Sequence, residues 1–388
     1  MGSHQPSDFV SPGERVVVAR QLGVNFGDRI VADDRRRGRG AATNISGRFE
    51  NVQREEFDDG WGALDELPPF KTEVILEKAR NIITRNDSPD ISFDQSINPY
   101  RGCEHGCVYC FARPTHAYLG LSPGLDFESK LFAKEGAAGL LERELAAKNY
   151  RVQTIAMGTN TDPYQPIERQ YRITRSVLET LAQYDHPVGI VTKSNLVVRD
   201  LDILGPMAKK GLVKVFLSVT TVDRALARRM EPRAPTPERR FEAIARLADA
   251  GVPVGVMAAP IIPAINDSEI ETILTRAHAA GAREAGYTLL RLPLELRDIF
   301  REWLLVNYPD KLKHTMSLIQ STRGGKDYDS TWGRRMAGSG PYAWMIGRRF
   351  EIAAKKLGYR EEGVKLRLDL FRQPERSEAA GAKQLSLF

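Results

Sequence analysis

The chain has 388 residues, 42% of them hydrophobic, enough to bury the core of one barrel-sized domain with appendages. The longest apolar run, residues 251–265, is broken by Pro253, Pro260 and Pro263, and no secretory leader opens the chain; the expectation is a soluble, cytoplasmic protein with no membrane partner. Net charge is +6 and unevenly placed: residues 301–388 hold 17 Lys and Arg against 10 Asp and Glu, while the remainder comes to −1. A basic excess confined to one segment suits a polyanion-binding surface, although a solvated basic face is the commoner explanation.

Residues 1–75 are polar and charged, with DDRRRGRG ending at Gly40 and little apolar periodicity, and are expected as a flexible N-terminal extension. Over 76–292, short apolar strands are predicted at 96–100, 154–158, 188–192, 213–219, 254–259 and 285–290, with amphipathic helices between them such as 168–184 and 237–250. Alternation of this kind specifies βαβ units and a parallel sheet. Helices are predicted again at 293–308 and 341–357. In the second, Pro341 takes the first helical position, Ile346, Phe350, Ala353 and Leu357 form an apolar stripe, and Gly358 stops the helix. Arg348, Arg349, Lys355 and Lys356 lie beside or opposite that stripe, so 293–372 reads as a helical C-terminal cap with a basic outer face, followed by a flexible tail at 373–388.

All three cysteines, Cys103, Cys107 and Cys110, fall in the eight residues CEHGCVYC. An odd count in a large chain argues against disulfides. Two metal readings remain. A zinc site could recruit His105 or His116 as a fourth ligand, but zinc frameworks usually pair two separated clusters of ligands. A cuboidal iron–sulfur cluster held by three thiolates leaves one iron free for a ligand that is not protein.

Polar loops follow four of the predicted strands. They carry TNTDPYQPIER (159–169), Lys193 and Ser194, Ser218 with the later Glu231, Pro232 and Arg233, and PIIPAIND (260–267). In parallel barrels the working residues gather at those ends, although Asp162 and Asp267 also read as helix caps. The stretch 321–340 combines Arg323, Lys326, Trp332, Arg334 and Arg335 with glycines. That composition suits phosphate contact and base stacking; a surface loop anchored by Trp332 accounts for it equally well.

The CxxxCxxC spacing, Tyr109 before the third cysteine and the strand-like SINPY upstream resemble the radical S-adenosylmethionine (radical SAM) superfamily. Residues 94–291, with GT.TDPYQPIE, TKS, RDLD and EPR as the more specific words, are similar to its spore photoproduct lyase-like, DNA repair photolyase-related branch. The resemblance implies an α/β fold, a partial (β/α)6 TIM-like barrel, and two cofactors, a 4Fe-4S cluster and S-adenosyl-L-methionine (SAM). It implies that Cys103, Cys107 and Cys110 ligate iron, that the amino and carboxylate groups of SAM take the fourth iron, and that one electron cleaves SAM to methionine and a 5′-deoxyadenosyl radical that removes a substrate hydrogen. By the same resemblance Tyr109 packs near adenine, Gly158, Thr159, Asn160, Thr161 and Asp162 fall where the SAM ammonium binds, Lys193 pairs with the SAM carboxylate, Ser218 bonds the ribose, Arg233 is a second cation, and backbone at Ile261 and Ile262 flanks adenine. The lyase uses a further cysteine as hydrogen donor, which this chain lacks; Tyr164 and Tyr287 are candidates to replace it, and the spore photoproduct itself is a doubtful substrate.

The final residues, Gln384, Leu385, Ser386, Leu387 and Phe388, resemble the peptide by which bacterial replication and repair proteins dock onto the DNA sliding clamp, Leu and Phe anchoring in an apolar pocket. The reading is a clamp-tethered radical SAM enzyme acting on DNA, in lesion repair or base modification, supplied by an external electron donor such as flavodoxin or ferredoxin and associated with the nucleoid. Its rivals are a radical SAM modifier of RNA or protein, and a zinc-stabilised DNA-associated adaptor without turnover.

Overall fold

The computed structural model describes residues 30–50 and 69–373. Strands β1 (Glu73–Leu76), β2 (Ile83–Arg85), β3 (Gln95–Ile97), β4 (Tyr100–Arg101), β5 (Lys130–Ala133), β6 (Ile155–Met157), β7 (Val188–Thr192), β8 (Val213–Ser218), β9 (Val254–Ile261) and β10 (Glu284–Leu289) form two sheets among these residues. The larger runs β10-β9-β8-β7-β6-β3-β2, and its strands from β3 to β10 are all parallel, with β2 antiparallel on the edge. These six parallel strands are the six expected, and they make an open (β/α)6 partial barrel. The smaller sheet, β1-β5-β4, stands beside the cysteine loop.

Side chains alternate across a strand, and the two faces of this sheet differ. Ile155, Met157, Val188, Ile190, Val213, Val215, Leu217, Val254 and Val256 are buried in one apolar core. That core is shared with helices α1 (Ala137–Leu145), α2 (Ile173–Gln183), α3 (Leu201–Lys209), α4 (Pro237–Asp249) and α5 (Ile270–Ala279). The intervening Gly189, Val191, Phe216, Met257, Gly286 and Thr288 are only half-buried, and a Cβ added at Gly189 would meet nothing within 4 Å. The inner face, the lumen side, is therefore less enclosed than the outer, although Phe216 lies close over Gly255 and Met257 over Gly286. Its floor carries the Lys214–Glu284 ion pair at 3.5 Å; Lys214 donates to the Val364 carbonyl and Glu284 accepts the Val364 N–H, so the C-terminal segment runs beneath the strands.

Three sequence expectations are corrected. Residues 30–50, expected within a flexible extension, pack on the barrel. Val31, Ala41, Ala42 and Thr43 are buried, and the backbone N–H groups of Gly40 and Ala41 both donate at 2.8 Å to the Glu128 carboxylate. The single helix predicted at 168–184 is broken. Arg172 adopts φ 51°, and the Glu168 carboxylate accepts the N–H groups of Thr174 and Arg175, satisfying first-turn donors of a helix that restarts at Ile173. The C-terminal region is two separate structures: α6 (Leu296–Asn307) and the unanticipated α7 (Leu312–Ser321) share a core cluster with Cys107 and Tyr109, whereas α8 (Gly340–Leu357) packs on α5 outside β10. Arg349 on α8 is paired with Glu271 at 2.6 Å. Among the described residues no helix is long and apolar enough to cross a membrane. Residues 384–388 lie outside the described residues.

Candidate active site

Glycines set the cysteine loop. Gly102 and Gly106, each one residue before a cysteine, have φ 70° and 68°, where a Cβ would be strained, and a Cβ at Gly106 would stand 2.7 Å from Glu128 Oε2. The fully buried Arg113 guanidinium donates to the carbonyls of Cys107 (2.9 Å) and Gly106 (3.3 Å) and pairs with Glu128 at 2.5 Å. Gln165 accepts the Glu104 N–H at 2.9 Å and donates to the Gly102 carbonyl at 3.1 Å. The loop is thus pinned from both sides by side chains far away in sequence, and its three thiols are left free, Cys103 and Cys107 buried and Cys110 half-buried.

Burial pushes the Cys103 thiol well up, and the charges of Asp162, Cys107 and Cys110 push it further. Cys107 is raised likewise by burial, with the Lys193 charge opposing. Clustered, desolvated thiols of this kind become thiolates only where metal cations compensate them. Among the described residues no three His, Cys, Asp or Glu groups converge on a single ion position. His105 lies with Nδ1 3.4 Å from Asp162, and His116 Nε2 is bonded to the Lys130 carbonyl at 2.9 Å. The three thiols lie near enough for their charges to act on one another, and His105 and His116 are engaged elsewhere, which fits a cluster whose irons take one thiolate each better than a tetrahedral zinc.

Gly158 ends β6 with φ 86°, and a Cβ there would collide with the Val191 carbonyl oxygen. Thr159 and Asn160 are held by Asn98, which accepts the Asn160 N–H at 3.1 Å, and Thr161 donates to the Tyr100 carbonyl at 2.8 Å. Asp162 accepts from Thr192 Oγ1 (2.6 Å), from the Lys193 N–H (2.7 Å) and from the Tyr164 N–H (2.9 Å). Burial, the largest influence, pushes its carboxyl up, but His105 and these hydrogen bonds outweigh it and hold it at about 2. Asp162 is therefore spent on latching the loops after β6 and β7 together; the half-exposed Thr159 and Asn160 are left facing the site. The Lys193 ammonium sits 5.7 Å from the Tyr109 ring centroid, and among the described residues it has no carboxylate partner. Arg233 is tied to Glu104 at 2.6 Å and to Thr72. Ser218 is buried at the end of β8, and Ile261 and Ile262 are buried at the end of β9.

A network absent from the sequence reading joins these parts. Tyr109 donates its phenol hydrogen to Glu231 and lies 3.0 Å from Thr220 Oγ1; Glu231 also pairs with the fully buried Arg240, which donates to the Ser218 carbonyl at 3.0 Å. Asn266 ties the Thr220 carbonyl to the Ile262 N–H. Only the EPR word hinted at this, since Arg240 lies on an ordinary amphipathic helix.

Two candidate hydrogen donors are misplaced. Tyr164 has no exposed surface and belongs to the main core, with the Arg199 guanidinium 6.0 Å from its ring. Tyr287 packs on Phe350 of α8 with ring centroids 4.7 Å apart, on the helix-facing side of β10; its alternation with Gly286 and Thr288 was the available signal. Of the nucleic-acid candidates, Arg323 is buried and donates to the carbonyls of Leu289, Leu290, Arg334 and Arg335, and Arg335 is bound to Asp90 at 2.5 Å and to Ser88. Both are structural. Lys326, Trp332 and Arg334 are exposed.

Residues 97–277 match the model of the radical SAM superfamily. The uncharacterized protein Rv2578c of Mycobacterium tuberculosis is 37% identical over 250 residues, covering 64% of this chain and 73% of the relative; protein MJ0683 of Methanocaldococcus jannaschii is 29% identical over 241 residues, covering 62% and 85%. In fold the chain is similar to spore photoproduct lyase, with a TM-score of 0.53 at 17% identity for a cysteine-to-serine mutant of the lyase, covering 79% of this chain and 84% of that one, and 0.52 at 16% for the lyase complexed with dinucleoside spore photoproduct, covering 73% and 78%. The three-thiol loop at the mouth of a six-stranded parallel barrel and the match across it lead to one conclusion: this chain belongs to the radical SAM superfamily, as an enzyme whose cofactors are an iron–sulfur cluster and SAM.

Proposed function

We propose that this radical SAM enzyme acts on DNA, repairing a lesion or modifying a base, and that its C-terminal peptide tethers it to the sliding clamp. When bound, the 4Fe-4S cluster supplies the electron that cleaves SAM into methionine and a 5′-deoxyadenosyl radical. Cys103, Cys107 and Cys110 would hold the cluster, and the Lys193 ammonium, without a carboxylate partner among the described residues, would take the SAM carboxylate, a task suited to a compact cation. Thr159 and Asn160 would receive the ammonium group. Ser218, fixed by Arg240, would orient the ribose, and Ile261 and Ile262 would exclude water beside the adenine.

The DNA assignment rests chiefly on the fold shared with a lyase solved with a dinucleoside photoproduct. The basic C-terminal segment and the clamp-like QLSLF agree with it. Tethering raises the effective concentration of a weak binder at replication sites. With no cysteine beyond the three ligands, a lesion other than the spore photoproduct is the better substrate. An external donor such as flavodoxin or ferredoxin would reduce the cluster.

The test is anaerobic reconstitution with iron, sulfide, SAM and dithionite, with and without ultraviolet-damaged duplex DNA, followed by mass spectrometry of the nucleosides. An altered nucleoside formed in step with 5′-deoxyadenosine supports the proposal. Deoxyadenosine without any change in DNA, but with modification of added RNA or protein, overturns the DNA assignment.

A further inference from the structure

Beside the cysteine loop the surface carries large aromatic side chains that a soluble domain ordinarily buries. Tyr118 is 69% exposed, Phe49 54% and Phe111 41%. They are ordered by stacking: Phe49 and Tyr118 lie 5.2 Å apart at 29°, with the Arg48 guanidinium 5.2 Å and 5.5 Å from their ring centroids, and Arg291 stands 4.2 Å from that of Phe111. Phe111 directly follows Cys110 and so borders the candidate cluster site, while Phe49 and Tyr118 are held by Arg48.

A groove of ≈ 660 Å³ runs from Arg48 and Leu294 to Lys326 and Tyr328. Its three carboxylates are spent: Glu295 pairs with Arg48 at 2.7 Å, Asp298 with Arg297 at 3.1 Å and Asp327 with Arg301 at 2.9 Å. The groove lining itself is balanced, Arg48, Arg297 and Lys326 against Glu295, Asp298 and Asp327; but Lys326 in it, and Arg291 and Arg334 beyond it, have no carboxylate within salt-bridge distance among the described residues, so unmatched cations border it. Leu294, at φ 53° and 55% exposed, adds an apolar wall. Exposed aromatic faces beside unmatched cations suit a strand whose bases are unstacked, since every base offers a π-face and every phosphate a charge; an intact duplex hides its bases from such a platform.

We propose that this groove holds single-stranded or locally unpaired DNA, its bases stacked on Tyr118 and Phe111 and its phosphates on Lys326 and Arg291, and so delivers one base to the lumen. The inference rests on the DNA reading and narrows it. Fluorescence anisotropy of the full-length protein with a labelled 15-nucleotide DNA strand, the matching duplex and the matching RNA strand tests it, because binding needs no turnover. The DNA strand is expected to bind at least about tenfold more tightly than the duplex. Tyr118→Ala and Phe49→Ala are each expected to weaken it by roughly tenfold, and Lys326→Ala to lower the slope of log affinity against log salt by about 0.7. Circular dichroism confirms that the variants are folded. Equal affinity for strand and duplex, with Tyr118→Ala silent, overturns this inference and leaves the DNA reading standing. Failure of both DNA forms to bind overturns both, and preference for the RNA strand overturns the assignment to DNA.

Discussion

Asp162 accepts the backbone N–H of Lys193 at 2.7 Å, so the residue after β7 that would hold the SAM carboxylate is aimed by a carboxylate from the loop after β6. The same carboxylate takes Thr192 Oγ1 and the Tyr164 N–H. Asp162→Asn keeps the shape but replaces charge-assisted acceptance with neutral bonds and turns one acceptor oxygen into a donor. A hydrogen bond to a charged group contributes about 1.5–3 kcal/mol, so SAM affinity should fall by about tenfold or more although Asp162 itself is occupied. Calorimetric titration of the reconstituted protein with SAM checks this; an unchanged Kd would show that the latch does not position Lys193.

Arg323 donates to four backbone carbonyls from a buried position, a structural role and not a phosphate contact. Arg323→Met strands those carbonyls and is expected to destabilise the fold by about 2–4 kcal/mol, read as a lowered denaturation midpoint. Below that midpoint the salt dependence of DNA binding should match the unsubstituted protein.

Glu302 is buried on α6 and accepts a hydrogen bond from Thr43 at 2.7 Å. Burial raises its carboxyl to about 7, the Thr43 bond opposing and the Asp298 charge adding to the rise. Because the folded value lies above the unfolded one, the native state binds this proton more tightly; the resulting stability is present below about pH 4.5 and is lost as pH climbs to about 7. Glu302→Gln removes the ionisation. The variant should gain thermal stability relative to the parent at pH 8, by an amount on the order of 3 kcal/mol, and the gain should shrink toward pH 5. A difference in melting temperature independent of pH would contradict the assignment.

Tyr287→Phe should leave turnover within about twofold, because its ring faces α8 and Phe350 and not the lumen. A loss of product with deoxyadenosine formation intact would restore Tyr287 as the hydrogen donor.

Deleting residues 384–388 should abolish capture by immobilised sliding clamp while SAM cleavage in solution proceeds unchanged. Retained capture would place the clamp contact elsewhere or nowhere.

The cysteine loop was legible in the sequence because its chemistry is local: three candidate ligands, two enabling glycines and an aromatic within nine residues. The six strands were legible too, since short apolar runs bounded by turns report on nearby chain alone. Packing of residues 30–50 was not, because Gly40 and Ala41 are held by Glu128, 88 and 87 positions away, and nothing nearby announces the partner. The same holds at the site. Sequence supplied the polar residues at the strand ends and in 321–340, but only the tertiary structure decided which are committed, as Asp162, Arg323 and Arg335 are, and which have no carboxylate partner among the described residues, such as Lys193 and Lys326. A side chain's availability depends on what long-range folding brings within hydrogen-bonding distance, and residue spacing along the chain carries no record of that.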